Sequence, residues 1–254
     1  MRSRIKHPHA KKPTKPRARV SEELIEKVRP GRWNPDRHPV DGEQRDALAA
    51  RGYWQAFQSV KKSIGKVPGG ANPGQVADRD HVSWYRELFG PSVAAGILEP
   101  ADLAGYRNAP VFIRRSMHTP PAPEAIRDLM PAFFELLEAE ESPAVRVVLG
   151  HFMFVHIHPY ADGNGRIGRF LMNVMAAAGG YPWIIVPLAR RTDYMAALES
   201  ASVEGNIRPF ARFLAGLVAH PLRDRQYPPF RSRATRHALL HPRTPCLACA
   251  SAKA

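Results

Sequence analysis

Within the run His158-Pro159-Tyr160-Ala161-Asp162-Gly163-Asn164-Gly165-Arg166-Ile167-Gly168-Arg169, four kinds of reactive group lie close together. His158 titrates near neutral pH and can take a proton from an incoming hydroxyl. Asp162 supplies hard carboxylate oxygens of the kind that hold Mg2+. Arg166 and Arg169 are three apart, so on a helix they share a face and can fork onto one polyphosphate. Gly163 and Gly165 carry no Cβ, which lets the backbone between them approach a ligand closely.

These groups need two helices to position them. Val145, Val148, Leu149, Phe152 and Val155 recur at three- and four-residue steps upstream. Phe170, Leu171, Val174 and Met175 do the same downstream until Gly179-Gly180. Pro159 disfavours an α conformation at His158, so the first helix is predicted to end there and the second to start near Gly163 or Asn164. The first turn of that second helix offers unpaired N–H groups and the positive end of the macrodipole. The loop thus reads as a nest for an anion, most simply a phosphate.

Two other readings compete. A glycine turn with arginines can be structural, but such a turn has no need of an acid, a base and two cations on one face. His151, His156 and His158 with Asp162 could serve as metallohydrolase ligands. His156 and His158, however, are only two apart and would point to different sides of a helix. His151 fits a core position.

The segment resembles the Fic motif, commonly written H-P-F-x-[DE]-G-N-G-R-x-x-R, at every fixed position but the third, where Tyr160 stands for Phe. The resemblance extends over roughly residues 80–218. It implies an all-α, Fic-type helical bundle with a short β-hairpin flap. It also implies a protein adenylyltransferase that moves AMP from ATP to a Ser, Thr or Tyr hydroxyl of a target protein, releasing pyrophosphate. In that scheme His158 is the base and Asp162 holds Mg2+. Gly163, Asn164 and Gly165 cradle phosphates, and Arg166 and Arg169 neutralise the departing pyrophosphate. The flap falls on Val111 to Pro121, whose alternation and Pro pair suggest an exposed hairpin. Arg115, Ser116, Met117 and His118 are its nucleotide-facing part. Tyr194 either lines the adenine pocket or packs in the core. Family variants transfer UMP, phosphate or phosphocholine. The kinase-like branch commonly has Lys after the motif's Asn, where this chain has Gly165.

Many relatives carry an inhibitory helix with [ST]-x-x-x-E-[GN], its Glu pairing with the motif's second Arg. The string occurs once here, Ser200-Ala201-Ser202-Val203-Glu204-Gly205, after the core, where it reads as an ordinary helix end. Control by a regulatory partner, a homo-oligomer or self-modification is the expectation instead.

Further helices are predicted for Ala47 to Ile64, Asp80 to Phe89 (stopped by Gly90-Pro91), Glu124 to Glu141, Asp193 to Glu204, and Pro209 to about Val218. Tyr181 to Pro187 is predicted to be extended. Four regions follow. Residues 1–43 are a basic, largely disordered arm and linker, with a short capped helix at Ser21 to Ile25. Residues 44–78 form a helical extension, 79–220 a Fic domain, and 221–254 a basic disordered tail.

The charge of +14 over 254 residues is confined to the ends. Residues 1–20 hold eight Lys/Arg and no acid, residues 221–254 hold seven against one acid, and residues 21–220 sum to zero. Such tails bind polyanions nonspecifically or are simply solvated, so a binding module that holds nucleotide and nucleic acid without catalysis is a further function class. Cys246 and Cys249, with His237 and His241 upstream, form a weak zinc pattern and exclude a disulfide framework. No run reaches membrane-spanning length, and a cytoplasmic protein is expected.

Overall fold

A computed structural model of the chain describes residues 42–219. The short helix at Ser21 to Ile25, both basic tails and the His237/Cys246 zinc pattern lie outside the described residues. Within them the fold is all-α, with seven α-helices and short 3-10 turns.

The central helix follows from composition. Phe170, Leu171, Met172, Val174 and Met175 make a wide apolar arc on the helix that runs Asn164–Ala178, leaving one polar side to Arg166, Arg169 and Asn173. So wide an apolar arc must be covered by several neighbours, and those five residues are at most 1% exposed. In chain order the helices are α1 (Gly42–Lys66), α2 (Pro73–Ala94), α3 (Ile126–Ala139), α4 (Pro143–Ile157), α5 (Asn164–Ala178), α6 (Arg191–Val203) and α7 (Arg208–Ala219). The central helix is α5. One hydrophobic core runs from Ala56 of α1 through Trp84, Met130, Phe154 and Phe170 to Leu217 of α7, so the helix before residue 79 shares the core of those after it.

Local signals set most boundaries. Asn72 caps α2, its Oδ1 accepting from the Gly74 N–H at 2.8 Å, with Pro73 in the first turn. Ser142 caps α4, and Pro143 follows it. Gly52 lies where α1 and α2 meet backbone to backbone: a Cβ there would sit 1.9 Å from the Leu88 carbonyl oxygen. Asn173 pins the extended stretch after α5, donating to the Ile184 carbonyl at 3.1 Å while its Oδ1 accepts from the Ile184 N–H at 2.7 Å.

The structure departs from the sequence expectations at the second predicted helix, which starts at Pro73 rather than Asp80, and at the flap. The second predicted helix does not stop at Gly90-Pro91 but continues to Ala94. Pro91 sits in the last turns, where the missing N–H removes only one bond, and its ring is buried. The flap is not a β-hairpin: residues 110–122 form no strand, only a turn at Arg114-Arg115 closed by the Ser116 N–H on the Ile113 carbonyl at 3.1 Å. A ladder needs backbone donors, but Pro110, Pro120 and Pro121 have none. The N–H of Met117 is committed to a side chain instead.

Candidate active site

The motif loop lies between two left-handed residues, His158 at φ 54° and Gly163 at φ 82°. A non-glycine residue in that region is strained by about 1 kcal/mol or more, so His158 is held from several sides. Its N–H donates to the Phe154 carbonyl at 3.0 Å as the cap of α4. Arg107 Nε donates to the His158 carbonyl at 2.8 Å, and the Arg107 N–H to the Pro159 carbonyl at 2.8 Å.

The imidazole of His158 is set up as a base. Nδ1 lies 3.1 Å from the Val155 carbonyl, which can only accept, so Nδ1 carries the proton and Nε2 keeps its lone pair. Burial lowers the pKa of His158 below its ordinary value, and the charges of Arg107 and His118 lower it further. The Val155 bond and Asp162 oppose them. The neutral form therefore dominates at pH 7.

The loop's middle is anchored in the core. Tyr160 is 1% exposed and stacks on Tyr85, with ring centroids 3.8 Å apart and planes 8° apart. Asn164 closes a two-bond ring on the same residue: its Oδ1 accepts from the Tyr160 N–H at 2.9 Å, and its Nδ2 donates to the Tyr160 carbonyl at 2.7 Å. The Asn164 side chain, 1% exposed, therefore holds the loop rather than facing outward to cradle phosphate. Only its backbone N–H remains for that task.

The anion side lies at the start of α5. The positive φ of Gly163 suits glycine, and a Cβ there would meet the Phe89 ring at 2.8 Å. Asp162 Oδ1 accepts from the Gly163 N–H at 2.6 Å, and Oδ2 pairs with Arg166 at 3.0 Å. Arg166 also lies over the Phe89 ring, 5.0 Å from its centroid. Arg169 folds back along the first turn, its guanidinium 3.5 Å from where a Gly165 Cβ would be. Both arginines thus border the N-terminus of α5.

Comparison with known proteins agrees with this geometry. The Fic/DOC family model matches residues 80–176, the stretch that runs from within α2 to near the end of α5 and includes the whole loop. Residues 80–176 of the chain thus resemble a Fic/DOC domain. A protein adenylyltransferase Fic of Drosophila grimshawi is 40% identical over 124 residues, 47% of this chain and 25% of that protein. The one of Drosophila willistoni is 40% identical over 145 residues, 56% of this chain and 27% of that protein. The chain spans about a quarter of the length of these curated relatives. Among solved structures, Fic-1 (aa134–508) from C. elegans superposes with a TM-score of 0.56 at 25% identity, over 70% of this chain and 51% of that one. A Fic family protein from Desulfovibrio desulfuricans G20, at 20% identity and a TM-score of 0.55, covers 87% of this chain and 59% of its own, and shares the fold.

The remaining residues singled out in the sequence fall on either side of the Fic/DOC loop. Arg115 is exposed and in the left-handed region at φ 64°. Ser116 Oγ and the Met117 N–H both donate to the carboxylate of Glu199 on α6. The Met117 side chain is 82% exposed. His118 Nε2 donates to the His156 carbonyl at 2.8 Å, and the two rings stack 4.0 Å apart. Tyr194 is buried, its hydroxyl 2.7 Å from His151 Nε2 and its ring against Phe210 and Phe213. His151 is fully buried on that bond, so the three histidines of the metallohydrolase reading are not gathered. Glu204 at the end of α6 is exposed and accepts from Ser200 Oγ at 2.7 Å, as an ordinary helix end does.

Arg107 and Glu199 were not predicted. Neither lies in a recognisable pattern: apart from Ala109, two residues from Arg107, their partners are 14 to 83 residues away in sequence.

Proposed function

We propose that this protein is an adenylyltransferase acting on a hydroxyl of a protein substrate, with ATP as donor. The observation that carries the reading is the pairing, on one loop, of a neutral His158 whose Nε2 is free with an anion site at the start of α5. The curated relatives' name supports the same activity.

In this reading His158 Nε2 takes the proton of the target's Ser, Thr or Tyr hydroxyl. The oxygen attacks the α-phosphorus, the bond from that phosphorus to the pyrophosphate oxygen breaks, and AMP stays on the target. The N–H groups of Asn164 and Gly165, with Arg166 and Arg169, hold the charge of the departing pyrophosphate, as preorganised donors do in phosphoryl-type transfers. Arg115, Ser116, Met117 and His118 present the flap to nucleotide and target.

Asp162 fits a Mg2+ site: its carboxylate is 77% exposed beside the first turn of α5. Among the described residues no group of three or more His, Cys, Asp or Glu side chains is gathered for a metal. An ion on Asp162 would therefore complete its shell with phosphate and water oxygens, as Mg2+ does. Bound there, Mg2+ neutralises phosphate charge. No helix among the described residues is long and apolar enough to cross a membrane. A cytoplasmic location, where ATP and Mg2+ are plentiful, belongs to the same reading, as does control by a partner or a second copy.

The test is intact-mass and labelled-nucleotide transfer with Mg2+ and each NTP in turn, on the wild type and His158→Ala. An AMP-sized gain that the variant lacks supports donor, reaction and base together. A UMP- or phosphate-sized gain replaces the donor. ATP binding without any transfer to itself or to added target proteins points to a nonenzymatic nucleotide-binding module.

A further inference from the structure

Arg107 is a charged side chain with only 7% of its surface exposed. Its guanidinium is committed to three backbone carbonyls: Nε to His158 at 2.8 Å, one terminal nitrogen to Ala109 at 3.0 Å, and the other to Pro121 at 2.6 Å. Its own N–H reaches Pro159 at 2.8 Å. These acceptors have a common origin. Ala109 and His158 each precede a proline, and Pro121 follows one, so the neighbouring backbone offers few N–H donors. A planar guanidinium with five donors can meet three such carbonyls at once, whereas an ammonium cannot fork in this way.

The positions of the carbonyls matter more than their number. Ala109 and Pro121 stand at the two ends of the flap, and His158 is the strained residue that carries the base. We propose that Arg107 is a positioning residue that ties both ends of the flap to the carbonyl of His158, making flap placement and base orientation a single event. This rests on His158 being the base. The groups that face the imidazole are Arg107 from the segment before the flap, His118 from the flap, Val155 from α4 and Asp162 from the loop. Arg107 and His118 both favour the neutral ring, and Arg107 does so without touching substrate.

The experiment compares full-length wild type with Arg107→Lys and Arg107→Met, using hydrogen exchange of residues 110–121 and NMR titration of the His158 ring, assigned against His158→Ala. With one to three charge-assisted bonds lost, exchange in the flap rises about tenfold or more in both variants. The His158 midpoint moves up in Arg107→Met, which has lost the charge, and stays in Arg107→Lys, which has kept it. In transfer assays both variants lose kcat with little change in KM for ATP. A folded Arg107→Met with wild-type flap exchange and an unmoved midpoint overturns the proposal. If Arg107→Met does not fold, unchanged flap exchange in Arg107→Lys does so. Exchange and titration need no transfer, so a wild type that transfers nothing defeats the adenylyltransferase reading while these two readouts still decide the role of Arg107.

Discussion

Tyr160 lies flat against Tyr85 at a centroid separation of 3.8 Å, and beyond that stack its hydroxyl is buried with no hydrogen-bond partner among the described residues. The ring supplies the aromatic anchor that the family motif has at this position. The hydroxyl adds only a desolvation cost, and burial pushes its pKa far up.

Removing that oxygen should help. Tyr160→Phe keeps the stack and relieves an unpaired polar group, so stability should rise by about 1 kcal/mol. Urea denaturation at pH 7 measures it. A loss of stability would mean that the hydroxyl has a partner, such as an ordered water.

Acid should weaken the fold through its histidines. His151 is fully buried, which pushes its pKa down to about 4 from 6.5. His81, His156 and His158 are shifted the same way by burial. The unfolded chain therefore binds more protons below pH 6.5, and stability present above that pH is lost as the pH falls towards 4. At His151 the gap corresponds to roughly 3 kcal/mol. Denaturation midpoints between pH 7 and 4 should fall steeply in the wild type and less steeply in His151→Gln. Equal slopes would remove His151 as the main cause.

Glu199 should govern how firmly the flap is seated. Its carboxylate accepts from Ser116 Oγ and the Met117 N–H, next to Arg115, an exposed trypsin site. Glu199→Ala frees both donors, and nicking at Arg115 should speed up by about tenfold, with Glu199→Gln in between. Cleavage at the wild-type rate in both variants would show that the His118–His156 contact holds the flap without it.

The contact between α1 and α2 leaves no room for a side chain at residue 52. Gly52→Ala would put a methyl into the Leu88 carbonyl, so the helices must separate, at a cost of about 1–3 kcal/mol. Thermal denaturation should show a clear drop. An unchanged Tm would mean that α1 slides freely along α2.

The loop was legible in the sequence because its constraints are local. Pro159 ends α4 at Ile157, Gly163 supplies a left-handed cap for α5, and the apolar spacing on both sides marks two buried helices. Asn164 shows the limit of such reading. Its position in the loop was evident, but whether its amide faces a phosphate or turns back onto Tyr160 depends on what fills the space behind it. The helix stop at Gly90-Pro91 failed for a similar reason: burial of Pro91 in the packed fold outweighs one missing hydrogen bond.

The sequence by itself marked the helices around the loop, His158 as the candidate base, Gly163 to Gly165 as the candidate anion site and the resemblance to the Fic/DOC family, because residue type and spacing act within a few turns of chain. The tertiary structure decided what those parts hold on to. It places Glu199 under the flap, Arg107 between Ala109, Pro121 and His158, and Tyr194 on His151 in the core. Apart from the Arg107–Ala109 bond, each of those contacts joins segments well separated in sequence. Pairing across such distances follows from how the helices pack, which no local pattern encodes.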